Sequence, residues 1–295
     1  MISFSSQVDD PLERDQTCAP SGVFDGHVHL FPERTAAAIW RWFDTHAWPI
    51  RYQRSPEELD RFLGDRGVER YLALLYAHAP GMAAELNRFI LEFAAEHPRC
   101  VPTATVLPGE EGADGILDRA LSAGARAVKI HCHVQRVTPD APEMDGIYRQ
   151  VMAHDVPLLI HCGNEPSLPG YADDIAARCT AAAFDRAMRR FPEMKVIVPH
   201  LGMGETAAYE ALLDCYENLY LDTAMALSSF FELELPAGLV ERRWQRLIYG
   251  SDFPNIPYAW DRDLRAIEAA DLTAEQRAAV LGGHARQLLG FPVDG

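Results

Sequence analysis

Two histidines, His27 and His29, stand one residue apart in the run Val23-Phe24-Asp25-Gly26-His27-Val28-His29-Leu30. In an extended strand, side chains two apart share a face, so Asp25, His27 and His29 are expected to project together. Two imidazoles side by side on a rigid strand make a poor core and a good pair of metal ligands. One His-x-His also arises by chance, so the rest of the chain has to decide. Further polar residues close other apolar runs: His131 and His133, His161, His200 and Asp252. Each alone reads as a hydrogen-bonded core or rim residue, because polar groups in apolar strands are costly unless satisfied. With His29 they make six strand-end polar residues, and six converging on one mouth are harder to explain that way. A catalytic zinc takes nitrogen and oxygen ligands and keeps a position for water, and His27, His29, His161 and Asp252 supply three imidazoles and a carboxylate. A metal so held makes water acidic enough to attack a substrate near neutral pH. His200 is not needed as a ligand and is placed to polarise the substrate or shuttle a proton.

The elements that must position these groups can be read from the spacing of apolar runs. Short runs begin near Val23, Tyr71, Val101, Ala125, Pro157, Lys195, Leu219 and Leu247. Helices are expected between them, near 82–96, 116–123, 144–154, 172–190, 205–217 and 237–246, with two more at 261–270 and 274–281. In the long first connection, Ile39, Trp42, Phe43 and His46 fall on one helical face. Ser55-Pro56-Glu57-Glu58 is the expected start of another helix, with a capping residue, proline in the first turn and acids after it. Runs too apolar to have a wet face, alternating with helices, are the mark of parallel strands covered on the outside. Eight of them favour a single closed (β/α)8 barrel (TIM barrel) over an open sheet, and the active site of such a barrel lies at the C-terminal ends of its strands. No G-x-G-x-x-G or P-loop pattern follows any strand, which argues against nucleotide binding.

Composition narrows the class. The chain has 295 residues, 48% of them hydrophobic, enough for a large core. A net charge of −16 argues against a nucleic-acid or anionic-membrane surface, and leaves a small-molecule substrate as the expected partner, with a homo-oligomer left open. No apolar run approaches the ~18 residues of a membrane helix. The six cysteines form no C-x-x-C pair, which fits a reducing, cytoplasmic setting. Cys132 and Cys162 each follow a histidine, on the opposite face of a strand, and read as small core residues. Residues 1–22 are polar and carry Asp9, Asp10, Glu13 and Asp15, so they read as a loose leader ahead of a barrel domain at 23–295.

Taken together, Asp25-Gly26-His27-Val28-His29, His161-Cys162-Gly163, Pro199-His200-Leu201-Gly202 and Gly250-Ser251-Asp252-Phe253-Pro254 resemble the amidohydrolase superfamily. The branch they look most like is the amidohydrolase-2 type, which includes α-amino-β-carboxymuconate-ε-semialdehyde decarboxylase and related lactonases and hydrolases. The resemblance covers about 23–290. It implies one divalent metal, usually zinc, on His27, His29, His161 and Asp252, with His200 as the catalytic histidine beside Asp252. Two-metal members of the superfamily bridge their metals with a carbamylated lysine on the fourth strand. Lys129 lies on that strand, and the plainer reading, a lysine held by carboxylates such as Asp25 or Asp252, is preferred for a buried charge. His131 and His133, or one of them, then face the substrate cavity. The family commonly has Asn where this chain has His284.

The resemblance implies either hydrolysis of a small ester, lactone or amide or, as the alternative, non-oxidative decarboxylation of an aromatic or muconate-like acid. A non-enzymatic barrel would be expected to have lost ligands, and the set here is intact. Arg41, Arg51, Arg54, Trp40, Trp42 and Trp48 crowd the first connection, and Asn255, Tyr258 and Trp260 follow the last run. Arginine grips carboxylates with two hydrogen bonds and aromatic rings face planar substrates, so an anionic or ring-shaped substrate held by Arg41 and Arg51 is expected. No strand-end arginine stands where a departing carboxylate would need positive charge, which tips the reading to hydrolysis.

Overall fold

The chain is seen in a computed structural model that describes residues 3–5, 8, 10–164, 168, 175 and 177–292. Its strands are β1 (Phe24–His29), β2 (Arg70–Leu74), β3 (Cys100–Thr105), β4 (Ala127–His131), β5 (Leu158–His161), β6 (Val196–Val198), β7 (Leu219–Asp222) and β8 (Leu247–Ile248). They form one eight-stranded sheet in sequence order, every neighbouring pair parallel. The sheet closes on itself. Gly26 N donates to Tyr249 O (2.8 Å), Asp252 N to His27 O (2.9 Å) and His29 N to Phe253 O (2.7 Å). The expected TIM barrel is therefore present.

The connecting helices are α1 (Glu33–His46), α2 (Pro56–Asp65), α3 (Met82–Glu96), α4 (Ala113–Ser122), the single turn α5 (Cys132–Gln135), α6 (Met144–Ala153), α7 (Ala181–Arg190), α8 (Thr206–Leu213) and α9 (Leu239–Arg243). Three more, α10 (Arg262–Ala269), α11 (Ala274–Ala278) and α12 (His284–Leu288), end the chain. The capping signal before α2 is realised in full, with Ser55 Oγ accepting from Glu58 N and the Glu58 side chain accepting from Ser55 N. Of the helix expected at 172–190, positions 172–174 and 176 lie outside the described residues; α7 itself starts at Ala181, after Thr180, whose hydroxyl accepts from Ala183 N. No helix among the described residues is long and apolar enough to cross a membrane.

Alternation along the strands builds two cores. Val28, Tyr71, Ala73, Val128, Ile130, Leu158, Ile160, Val196, Val198 and Leu221 join the core shared with the helices. Phe24, Leu72, Leu74, Val101, Ala127, Leu159, Ile197 and Ile248 fill the barrel, with Ala285 and Leu289 against them. Carried upward at period two, that interior row turns polar: Lys129 and His131 above Ala127, His161 above Leu159, Asp252 above Ile248. The fold thus delivers the polar row to the C-terminal mouth.

Three local expectations needed revision. The run ending at His133 stops pairing at His131, because Gln135 pulls the chain into a turn. Its Oε1 accepts from His131 N, and its Nε2 donates to Ala77 O and Val106 O, each at 2.8 Å. The eighth run pairs with β7 over Leu247–Ile248 only; beyond that it meets β1 through single hydrogen bonds and a bridge from Val28 to Phe253, with Asp252 between them in a left-handed backbone (φ 62°). The described part of residues 1–22 is docked, not loose. A 3-10 turn spans Leu12–Gln16, the Phe4 ring lies 5.7 Å from that of Trp48, and the Asp10 carboxylate accepts from Ala259 N (2.8 Å) and Arg262 Nε (2.6 Å). Asp10 and Asp15 are partners to groups far along the chain, which composition does not reveal. His284 stands away from the mouth, donating to Leu247 O (2.8 Å) and stacking near Trp244.

Candidate active site

A change of register between Asp25 and Val28 breaks the simple alternation of β1. Such a bulge re-aims side chains. Asp25 consequently does not share the ligand face; its carboxylate accepts from Ser251 Oγ (2.5 Å), Ser251 N (3.0 Å) and His27 N (3.0 Å), tying β1 to the segment after β8. Burial pushes Asp25 up to about 7, against those hydrogen bonds. Gly250 completes the junction. A Cβ there would stand 2.7 Å from His27 Cβ, so only glycine lets the two segments approach.

On this junction His27, His29 and Asp252 converge. His27 Nε2 lies 3.3 Å from His29 Nε2 and 3.2 Å from Asp252 Oδ1, and His29 Nε2 lies 3.0 Å from the same oxygen. On its other side, His27 Nδ1 meets Asp222 Oδ2 at 2.7 Å. A carboxylate only accepts, so Nδ1 carries the proton and Nε2 is directed at the cluster. Asp222 was not singled out in the sequence, although it closes an apolar strand in the same way as Asp252. Its second oxygen accepts from His200 N (2.9 Å) and Ala224 N (3.1 Å). One carboxylate therefore sets both His27 and the backbone at His200.

His200 has a left-handed backbone (φ 56°), as does Leu201 after it. Non-glycine residues adopt this only when their surroundings force it, and such positions gather at functional sites. His200 Nδ1 donates to Ala224 O (2.7 Å), which aims Nε2 away from that carbonyl. Among the described residues, the ligand atoms of His27, His200 and Asp252 all lie within 4.8 Å of one another. That trio contains His200, where the sequence pointed to His161. The His161 ring stands beside it, its centroid 4.6 Å from that of His200, and stacks on His131 at 4.0 Å. Lys129 is wholly buried below them and is felt electrostatically by His27, His29, His131 and His161.

Burial holds most of these imidazoles neutral. It lowers His29 and His133 to about 4 and takes His131 and His161 well below the usual range, and His200 is lowered as well. His27 is the exception: burial opposes its charge, but Asp222 raises it to about 9. A proton on its Nε2 and a cation compete for one lone pair. Burial also opposes charge on Asp252, yet hydrogen bonds from His27 and His29 keep it ionised, well below the usual carboxylate range. The donor set fits a divalent metal. Two ring nitrogens and a carboxylate oxygen crowd together, buried, with the outer nitrogen of His27 anchored by a second carboxylate, the usual support for a metal-bound histidine.

Above the cluster is a cavity walled by Phe43, Trp48, Tyr76, Met203, Met225, Phe231 and Asn255, with His29, His131, His161, His200 and Asp252 at its floor. The two remaining histidines part company. His131 faces this cavity, whereas His133 lines a neighbouring groove and donates to Gly163 O (3.1 Å). The expected arginines are elsewhere. Arg41 is exposed on α1. Arg51 donates to Asp10 O (2.9 Å) and pairs with Asp15 (3.1 Å), so it fastens the N-terminal segment. Arg54 lies over the Phe62 ring (4.6 Å) and borders a separate cleft beside His29. Trp48 Nε1 donates to Asn255 O (2.9 Å), joining the first and last loops, while Tyr258 and Trp260 are wholly buried packing residues.

A family model described as Amidohydrolase matches residues 24–291. The chain belongs to the amidohydrolase family. No curated protein matches it. Among solved structures, an uncharacterised TIM-barrel protein from Bordetella bronchiseptica is 16% identical at TM-score 0.69, covering 91% of this chain and 98% of that one. A dihydroxybenzoic acid decarboxylase from Polaromonas, with bound manganese and the inhibitor 2-nitroresorcinol, is 17% identical at TM-score 0.65, covering 92% and 97%. The 4-oxalomesaconate hydratase from Rhodopseudomonas palustris is 18% identical at TM-score 0.63, covering 91% and 95%. At these identities the likeness establishes the fold. As an amidohydrolase-family protein, the chain is a metal-dependent enzyme type with a candidate metal site at the mouth of its barrel.

Proposed function

We propose that this amidohydrolase-family enzyme hydrolyses a small ester, lactone or amide carrying a ring or an anionic group. Its metal is held by His27, His29, His161 and Asp252, and His200 carries the proton. Three imidazoles and one carboxylate suit zinc. When bound, the metal would act as a Lewis acid toward substrate oxygen and acidify water. The observation that carries the reading is the fixed tautomer of His200: with Nδ1–H spent on Ala224 O, its Nε2 faces the cavity beside His27 and Asp252 as an acceptor. Lowered by burial, that nitrogen is unprotonated at neutral pH, takes a proton from attacking water, and returns it to the leaving oxygen or nitrogen. Asp252 fixes the approach of His27 and His29, and the aromatic wall from Phe43 to Phe231 excludes bulk water. Free cysteines at all six positions support a reducing, cytoplasmic setting.

A second reading, loss of carbon dioxide from an aromatic acid, draws support from the decarboxylases among the solved structures of similar fold. Against it, the described residues lining the cavity include no arginine. The deciding experiment is a substrate screen of the zinc-loaded enzyme, reading acid release from lactones and esters against carbon dioxide release from hydroxybenzoates and muconate-like acids. Lactone or ester turnover is expected. Carbon dioxide release with no turnover of any lactone or ester would overturn hydrolysis in favour of the lyase.

A further inference from the structure

A groove beside the catalytic cavity is not used by the chemistry described above. It runs between α1 and α5, and is lined by Trp42, His78, His133 and Arg136 together with Phe43 and Tyr76. Phe43 and Tyr76 also wall the catalytic cavity, so the two spaces adjoin across a shared pair of aromatic side chains. Arg136 follows α5 with a left-handed backbone (φ 55°), at the turn that Gln135 holds against the ends of β2, β3 and β4. Its position is thus set by the barrel. Arg136 lines the groove, and among the described residues no carboxylate pairs with it. His133 has its Nε2–H engaged by Gly163 O and forms a wall of the groove.

We propose that this groove is a distal substrate subsite. The apolar or ring section of the substrate passes Phe43 and Tyr76 and lies along Trp42, and its far carboxylate is held by Arg136 with His78 beside it. The inference rests on the hydrolase reading and deepens it: the bond that reacts is at the metal, and the negative charge is at the other end. An arginine fork offers a carboxylate two parallel hydrogen bonds, and an aromatic wall favours a planar or extended hydrocarbon. An ester or lactone with an anionic arm satisfies both spaces, whereas a carboxylate adjacent to the reacting atom satisfies neither.

The test is calorimetric binding to the metal-loaded enzyme of straight-chain dicarboxylates of graded length, adipate to sebacate, against monocarboxylates of the same lengths. Over one range of lengths the second carboxylate should tighten binding about tenfold, the weight of one charge-assisted contact. Arg136→Gln should abolish that gain and Arg136→Lys should keep part of it, while monocarboxylates bind all three proteins alike. No gain at any length, or a gain that survives Arg136→Gln, would overturn the subsite. A parallel arm in chelator separates the two claims. Monocarboxylate binding that is indifferent to metal removal would count against the metal reading alone, because the dicarboxylate gain is measured as a ratio within each state.

Discussion

The two sides of the barrel mouth are built on different principles. On one side His27, His29, Asp222 and Asp252 stand at strand ends, buried, and linked by backbone bonds such as Asp252 N to His27 O. On the other, Trp42, His78 and Arg136 stand on a helix and on turns, partly or fully exposed. The first side fixes its donor atoms on the sheet; the second is freer to adjust. Bond-making chemistry demands fixed geometry, whereas recognition of a ring or a charge tolerates adjustment and varies most easily on loops. On the proposed reading, chemistry sits where the sheet is rigid and selectivity where it is not.

That contrast fixes the expected order of mutational effects. Asp252→Ala removes the oxygen shared by His27 and His29 and should abolish both metal retention and turnover, as read by elemental analysis and rate. Next comes His200→Ala, which should keep its metal and lose ~10²–10⁴ of rate, the usual contribution of a general acid–base group. Loss of metal in that variant would make His200 a ligand, as its distance to His27 and Asp252 permits. Asp222→Asn leaves His27 without its anchoring charge and should weaken metal affinity by ~10–100-fold with little change in fold. The smallest effect is expected on the far side. Arg51→Ala should leave kcat and KM unchanged and lower stability by ~1 kcal/mol or less, since its partners are exposed or half-buried groups of the N-terminal segment. A raised KM there would return Arg51 to the substrate.

The sequence made the rigid side legible and the adaptable side nearly opaque, for a physical reason. Strand-end histidines stand out because an apolar run has no other use for them, so His27, His29, His131, His161, His200 and Asp252 could be found by position, and eight such runs imply the barrel. Asp222 closes an apolar strand as Asp252 does, but no histidine stands near it in sequence; only its contact with His27 gives it meaning. The bulge that turns Asp25 towards Ser251 is invisible to a period-two reading. On the loop side, the arginines nearest the first strand in sequence were the natural candidates. Arg51 is claimed instead by Asp10 and Asp15, and the arginine that reaches the groove, Arg136, comes from a turn after β4 that the uninterrupted run through His133 concealed. Proximity in sequence is a good guide along a strand and a poor one across a mouth formed by eight loops.

The proposed site holds a single buried metal on the rigid side, with Lys129 serving as a supporting charge and not as a bridge between two ions. Elemental analysis of gently purified wild-type protein, taken together with the mass of the intact chain, tests it most directly. About one equivalent of divalent metal per chain, zinc foremost, and an unmodified Lys129 are expected. Two equivalents with the mass of one added carboxylate, or no metal retained at all, would contradict it.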